Sequence, residues 1–250
     1  MNDIERTGEA CLHAYGHWAC GSRNTLDCDT SSVAVVERKD TEGAEERWAA
    51  YTHGRPSIAA DIGHFVDMVG LDVPLTADTT VLDVGCGWGI TTFHLARQCK
   101  VHGTDRSAEN LRLNPVHDVS VMDVTCLGFA DASFDVVLAH HVLHHIVQLE
   151  EAVAEMARVS RRYVVVSDLN KWNPINEGFV LLGAEERPSP YFGAKWLEAA
   201  VESVGLRVIR RRTWGLLSSY LTPRALVPLQ KKLWFEHPLG LEHLVIAEKV

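Results

Sequence analysis

The sequence predicts an α/β fold: a mostly parallel seven-stranded sheet with helices on both faces and an antiparallel last strand. Three patterns carry this. Short continuous apolar runs alternate with segments whose apolar residues recur at helical spacing, as strands buried on both faces and their crossover helices require. The first strand run turns into a helix through closely spaced glycines. The stretch between the last two strand runs shows no helical repeat, so a loop joins them and the final strand turns back against its neighbour.

In chain order, residues 1–45 hold three of the six cysteines and the polar stretch 37–43, with few apolar repeats, and predict a loosely structured arm. Residues 46–250 form the main domain. Ile58, Ile62, Phe65, Val66 and Val69 share a helical face, with Pro56 near its start and Gly70 near its end. Residues 80–84 are the first strand, 90–98 a helix, 100–104 the second strand, 107–113 a helix and 119–122 the third strand. The apolar run 134–139 is the fourth strand. Leu149, Val153, Met156 and Ala157 mark a helix before the fifth, 163–166. Trp196, Leu197, Ala200, Val201 and Val204 mark another helix, closed by Gly205, and 206–209 and 244–247 are the last two strands.

Composition narrows the function. Against 33 acidic residues stand 24 basic ones, a formal charge of -9, which disfavours general binding to nucleic acid or anionic membrane. Arg161-Arg162, Arg210-Arg211-Arg212 and Lys231-Lys232 read as solvated element ends. No apolar run approaches the ~18 residues of a membrane span, and the N-terminus lacks the layout of a secretion signal. Six cysteines are too sparse for a disulfide scaffold, so reduced thiols and a cytoplasmic location are expected.

Val81-Leu82-Asp83-Val84-Gly85-Cys86-Gly87-Trp88-Gly89 is the most informative segment. Glycines between strand and helix let backbone approach a ligand, and the helix N-terminus offers free N–H groups. Asp105 ends the next strand, twenty residues beyond Gly85, where a carboxylate can accept hydrogen bonds from ribose hydroxyls. A dinucleotide loop requires glycine at position 90, which is Ile90 here. Asp83 beside the loop repels a pyrophosphate but suits an ammonium. S-adenosylmethionine carries an ammonium, a sulfonium and a ribose, with no phosphate.

Residues 46–168 resemble the class I S-adenosylmethionine-dependent methyltransferases, of the small-molecule and ubiquinone-biosynthesis type, on the motif 81–89, Asp105, Asp123 and the stretch 134–145. The resemblance implies a Rossmann-like fold and in-line transfer of a methyl group to a small-molecule acceptor. It also implies a cofactor site of Asp83, Gly85, Cys86, Gly87, Asp105, Arg106 and His140, with Asp123 and Val124 framing the adenine. Ser160-Arg161-Arg162 departs from the family's glycine-containing turn before the fifth strand.

The run His140-His141-Val142-Leu143-His144-His145 follows the fourth strand, at the sheet edge where open α/β folds bind ligands. His144 and His145 are the candidate catalytic bases, since a neutral imidazole can take a proton from an attacking hydroxyl or amine. Two other roles stay open. The rings can pack structurally, or pairs four apart can share a helical face and bind metal. With no carboxylate inside the run, no metal is expected. Cys11, His13, His17, Cys20 and Cys28 match no compact zinc spacing.

Substrate-side insertions are expected at about 169–192 and 214–240, both rich in aromatic or apolar residues, which suits a hydrophobic acceptor. Two rival functions share parts of this pattern: a non-catalytic S-adenosylmethionine-binding regulator and an NAD-dependent oxidoreductase.

Overall fold

The computed structural model describes residues 34–35, 55–176, 193–219 and 221–250. Its strands are β1 (Ala34–Val35), β2 (Thr80–Val84), β3 (Lys100–Asp105), β4 (Val119–Val121), β5 (Phe134–His140), β6 (Ser160–Leu169), β7 (Leu206–Trp214) and β8 (Glu242–Lys249). Its helices are α1 (Pro56–Gly70), α2 (Ile90–Ala96), α3 (Ala108–Leu113), α4 (Leu149–Val159), α5 (Ala194–Ser203) and α6 (Val227–Lys232).

All the strands join one sheet in the order β1-β4-β3-β2-β5-β6-β8-β7. The central strands β4, β3, β2, β5 and β6 are parallel, and β8 inserts antiparallel between β6 and β7. This is the mostly parallel sheet with an antiparallel last strand read from the sequence. The two-residue β1 adds an antiparallel edge beside β4, within a segment expected to be loosely structured. The rest of the arm, and 177–192 of the first insertion, lie outside the described residues.

The helix pattern follows local chemistry. Pro56 occupies the first turn of α1, where its missing N–H costs nothing. Ser107 caps α3 by accepting from the Asn110 amide at 3.2 Å. One expectation fails: the connection between β7 and β8 contains α6, which a three-residue helical turn, Arg224–Leu226, precedes. Only Gln230 of α6 is buried, so this helix has no apolar stripe for sequence periodicity to reveal.

Alternation along the strands divides the core between the two sheet faces. Leu82, Val137, Ala139, Val164 and Val166 face α4 and α5, meeting Val153, Met156, Leu197 and Val201. Val81, Val136, Leu138 and Val165 face the other way, toward Phe65 and Val69 of α1 and Leu95 of α2. Each such side chain taken fully from water contributes roughly 1.5–3 kcal/mol.

The arginine run on β7 is committed to ion pairs. Arg210 and Arg212 both engage Asp72 at 2.9 Å, Arg212 also meets Glu236 at 2.6 Å, and Arg211 meets Glu198 at 2.8 Å. Among the described residues no helix is long and apolar enough to cross a membrane. Among the described residues Cys86 and Cys99 are free thiols.

Candidate active site

Parallel strands place their C-terminal ends on one edge of the sheet, and the loop 85–89 sits there between β2 and α2. All three loop glycines have left-handed backbone, with φ of +68° at Gly85, +51° at Gly87 and +83° at Gly89. Two are also required by contact inside the protein. A Cβ on Gly85 would lie 2.2 Å from Val142 Cγ2, and one on Gly89 would lie 2.1 Å from Asn114 Oδ1. Gly87 differs, because a Cβ there would meet nothing nearer than Asp105 Oδ2 at 4.0 Å. Of the three, it alone has open space among the described residues where a Cβ would stand.

Asp105 accepts from the Gly87 amide at 2.9 Å and from the Ser107 amide at 2.8 Å. Burial raises its pKa, against the pull of those two amides. The Asn110 side chain also hydrogen-bonds to it, and since a carboxylate has about four lone-pair sites, capacity remains for a further hydroxyl donor. Asp123 accepts from both the amide and the hydroxyl of Thr125 through one oxygen, and its other oxygen pairs with Arg106 at 3.4 Å. Val124 is buried beside it.

Other residues assigned to the cofactor are placed differently. Asp83 lies beneath the loop, 1% exposed, and its carboxyl accepts from Thr92 Oγ1 at 2.7 Å. Burial pushes it up to about 7, and the charge of Asp105 adds to this. The Cys86 side chain is also buried, and burial with the charges of Asp83 and Asp105 raises its thiol well above the usual range. Its sulfur packs over Gly103, where an added Cβ would lie 2.8 Å from it.

The histidine run does not form a helix long enough for i,i+4 pairs. His140 ends β5, His141 adopts left-handed backbone with φ of +54°, and Leu143–His145 make a single tight turn. The turn is anchored from β6. Asp168 accepts from His144 Nδ1 at 2.6 Å and from the His144 amide at 3.0 Å. Burial pushes the Asp168 carboxyl up, but the charges of His144 and His141 and the hydrogen bond from His144 outweigh it and hold it low. A bond that short to a carboxylate puts a proton on Nδ1 and fixes the orientation of the ring. The His145 ring lies 3.9 Å from that of His144, and burial together with His144 brings its pKa down to about 4.

Sequence reading missed Asp168, Asp61 and Glu242. Asp168 had a signal, since it closes an apolar strand on the ligand edge as Asp105 does. Glu242 opens β8, and because that strand runs backwards its first residue reaches the same edge, opposite Leu169. Glu242 Oε2 lies 3.7 Å from His140 Nε2 and 3.4 Å from His141 Nε2. Burial and the charge of Glu242 push Asp61, on α1, up to about 8. A pocket of about 320 Å³ opens next to this corner, lined by Ser57, Ser219, Leu221 and Arg224 among others.

The segment after β6 is fixed by three buried asparagines. Asn170, Asn173 and Asn176 donate to the carbonyls of Gly240, Leu239 and Leu241 at 2.7, 2.6 and 2.8 Å. Large apolar side chains remain exposed on both insertions, among them Trp172, Leu221 and Phe235.

Sheet order, glycine loop and edge carboxylates together define a methyltransferase fold of class I, and known proteins agree. The family description "Methyltransferase domain" matches residues 82–165. A ubiquinone biosynthesis O-methyltransferase of Alkalilimnicola ehrlichii is 33% identical over 117 residues, 42% of this chain and 47% of that protein. A 2-methyl-6-phytyl-1,4-hydroquinone methyltransferase of Synechocystis is 30% identical over 198 residues, covering 70% and 61%. A crystal structure from Thermotoga maritima, a SAM-dependent methyltransferase and possible histamine N-methyltransferase, superposes with a TM-score of 0.63 at 16% identity. It covers 83% of this chain and 96% of its own. Residues 82–165 carry a methyltransferase domain, and the chain as a whole is similar to the class I S-adenosylmethionine-dependent methyltransferases. It spans 47% and 61% of the length of the two curated relatives.

Proposed function

We propose that this protein transfers a methyl group from S-adenosylmethionine to an oxygen, nitrogen or carbon atom of a small apolar molecule. The observation that carries the reading is the Gly87–Asp105 pair: open space over a left-handed glycine, bordered by a half-buried carboxylate. When bound, S-adenosylmethionine supplies a methyl group already activated on a sulfonium. The chain then has to bind, align and exclude water. Asp105 would hold the ribose, Asp123 and Val124 the adenine side, and Gly85, Gly87 and the backbone at His140 the remainder of the donor. Asp83, from beneath, would stiffen the loop through Thr92 and set its local charge.

Where the acceptor is a hydroxyl, His144 is the base that takes its proton, and Asp168 holds the imidazole in place through Nδ1. The exposed Trp172, Leu221 and Phe235 support an apolar acceptor. So does the hydroquinone for which the Synechocystis relative is named.

Calorimetry against S-adenosylmethionine, S-adenosylhomocysteine and NAD tests the donor, with binding of the first two and none of the third expected. Binding of NAD alone sinks the reading. For the base, His144→Ala is expected to lower methyl transfer at least ~100-fold while leaving S-adenosylhomocysteine affinity within about twofold. Turnover unchanged in His144→Ala, His145→Ala and the double variant would discard it.

A further inference from the structure

The corner where β5, β8 and α1 meet holds a donor set that the methyl-transfer chemistry above does not use. His140 Nε2, His141 Nε2 and a Glu242 carboxylate oxygen all lie within 4.8 Å of one another. The carboxylate is 3.7 Å from one nitrogen and 3.4 Å from the other. Two donors each ~2.05 Å from a tetrahedral ion stand about 3.4 Å apart, close to both nitrogen–oxygen distances, and the set as a whole would draw together on binding. Neither Nε2 has a hydrogen-bond partner, although both atoms are buried and the His140 side chain is only 5% exposed. An unsatisfied buried imidazole nitrogen is costly, and two aimed at one carboxylate mark a place for a cation.

We propose that His140, His141 and Glu242 form a binding site for one divalent first-row transition-metal ion.

The surroundings match what a metal ligand requires. His140 Nδ1 lies 3.0 Å from Thr91 Oγ1, a hydroxyl able to accept its N–H and so leave the lone pair on Nε2 for the ion. The His140 ring is clamped between Phe65, stacked at 4.1 Å, and the His141 ring, also at 4.1 Å. His141 is held in a left-handed backbone that a non-glycine residue rarely adopts, and this orientation turns its ring toward Glu242. Two imidazoles and one carboxylate select zinc, iron(II), manganese(II) or cobalt(II) over magnesium or calcium, which prefer all-oxygen sites. Asp168 adds negative potential from the neighbouring strand β6.

The site adjoins the donor crevice, since Val142 packs on Gly85 and Thr91 lies in the first turn of α2. Its role rests on the methyl-transfer reading: there the ion would bind and polarise an oxygen of the acceptor. Binding of the ion does not depend on that reading.

The test uses the full chain, free of affinity tags and stripped with chelator. Cobalt(II) titrated at neutral pH should give visible d–d absorption saturating at one ion per chain, without the near-ultraviolet band of thiolate ligation. Zinc calorimetry should give a dissociation constant in the micromolar range or tighter. Glu242→Gln and His140→Ala should each weaken binding at least ~100-fold. Should those variants misfold, the imidazole nitrogen resonances of the unaltered protein decide, because zinc should shift those of His140 and His141 and leave His102 in place. Affinity no better than millimolar, a thiolate spectrum, unmoved His140 and His141 resonances, or full binding by both variants would each overturn the site, leaving an ordinary ion pair. S-adenosylhomocysteine binding measured on the same samples keeps the two readings separate, since its loss counts against the donor site alone.

Discussion

The charge of Asp105 matters more than its shape. Its oxygens hold the Gly87 and Ser107 amides, which an asparagine can mimic only in part, since one of its terminal groups donates. Hydrogen bonds to a charged acceptor contribute about 1.5–3 kcal/mol each. Asp105→Asn should therefore weaken S-adenosylhomocysteine binding by roughly 10–100-fold in calorimetry. Affinity within twofold of the unaltered protein would remove Asp105 from the ribose role. Residues such as this were legible in the sequence because their meaning is local: a glycine loop, then an acid at the next strand end. Asp168 obeys the same rule, yet its importance appears only once His144 is seen 2.6 Å away, on the turn after the neighbouring strand.

At the level of elements, the loop between β2 and α2 and the turn after β5 are built as one unit. The Gly85–Val142 contact joins them, and an added methyl there has no free volume. Gly85→Ala should cost about 1–3 kcal/mol from overpacking, with roughly 1 kcal/mol more for an alanine at positive φ. Combining it with Val142→Ala should recover at least ~1 kcal/mol relative to the sum of the single effects in urea unfolding. Strict additivity would show that the two segments are independent. The strands and longer helices were legible from periodicity, which is a property of each segment alone. Helix α6 was not, having only Gln230 to bury. Glu242 was invisible as a site residue for a different reason. Its partners lie about a hundred residues earlier, and only the antiparallel course of β8 brings them together.

For the whole molecule, the clasp at Asp72 ties the end of α1 to the outer strand of the sheet. Burial raises the Asp72 pKa, but hydrogen bonds and charge from Arg212 and Arg210 more than reverse this and hold it below its ordinary value. With the folded value depressed, the clasp stabilises above the unfolded carboxyl's pKa of about 3.9 and is lost as pH falls through the folded value. Asp72→Asn should be about 1 kcal/mol less stable at pH 7, and that gap should close as unfolding is followed from pH 6 down to 3. Parallel decline of both proteins would leave the clasp without a role in acid sensitivity.

The same arginines have a second effect. β7 is the sheet's terminal strand, with one flank lacking a strand partner among the described residues. Such a flank is a template onto which another polypeptide can add and begin an aggregate. Here the approach is lined by Arg210 and Arg211, tethered to acids yet exposed enough to keep their hydration. An incoming strand would have to strip water from both guanidinium groups before gaining its first backbone bond, so resistance to association comes from side chains that also fasten the flanking helices.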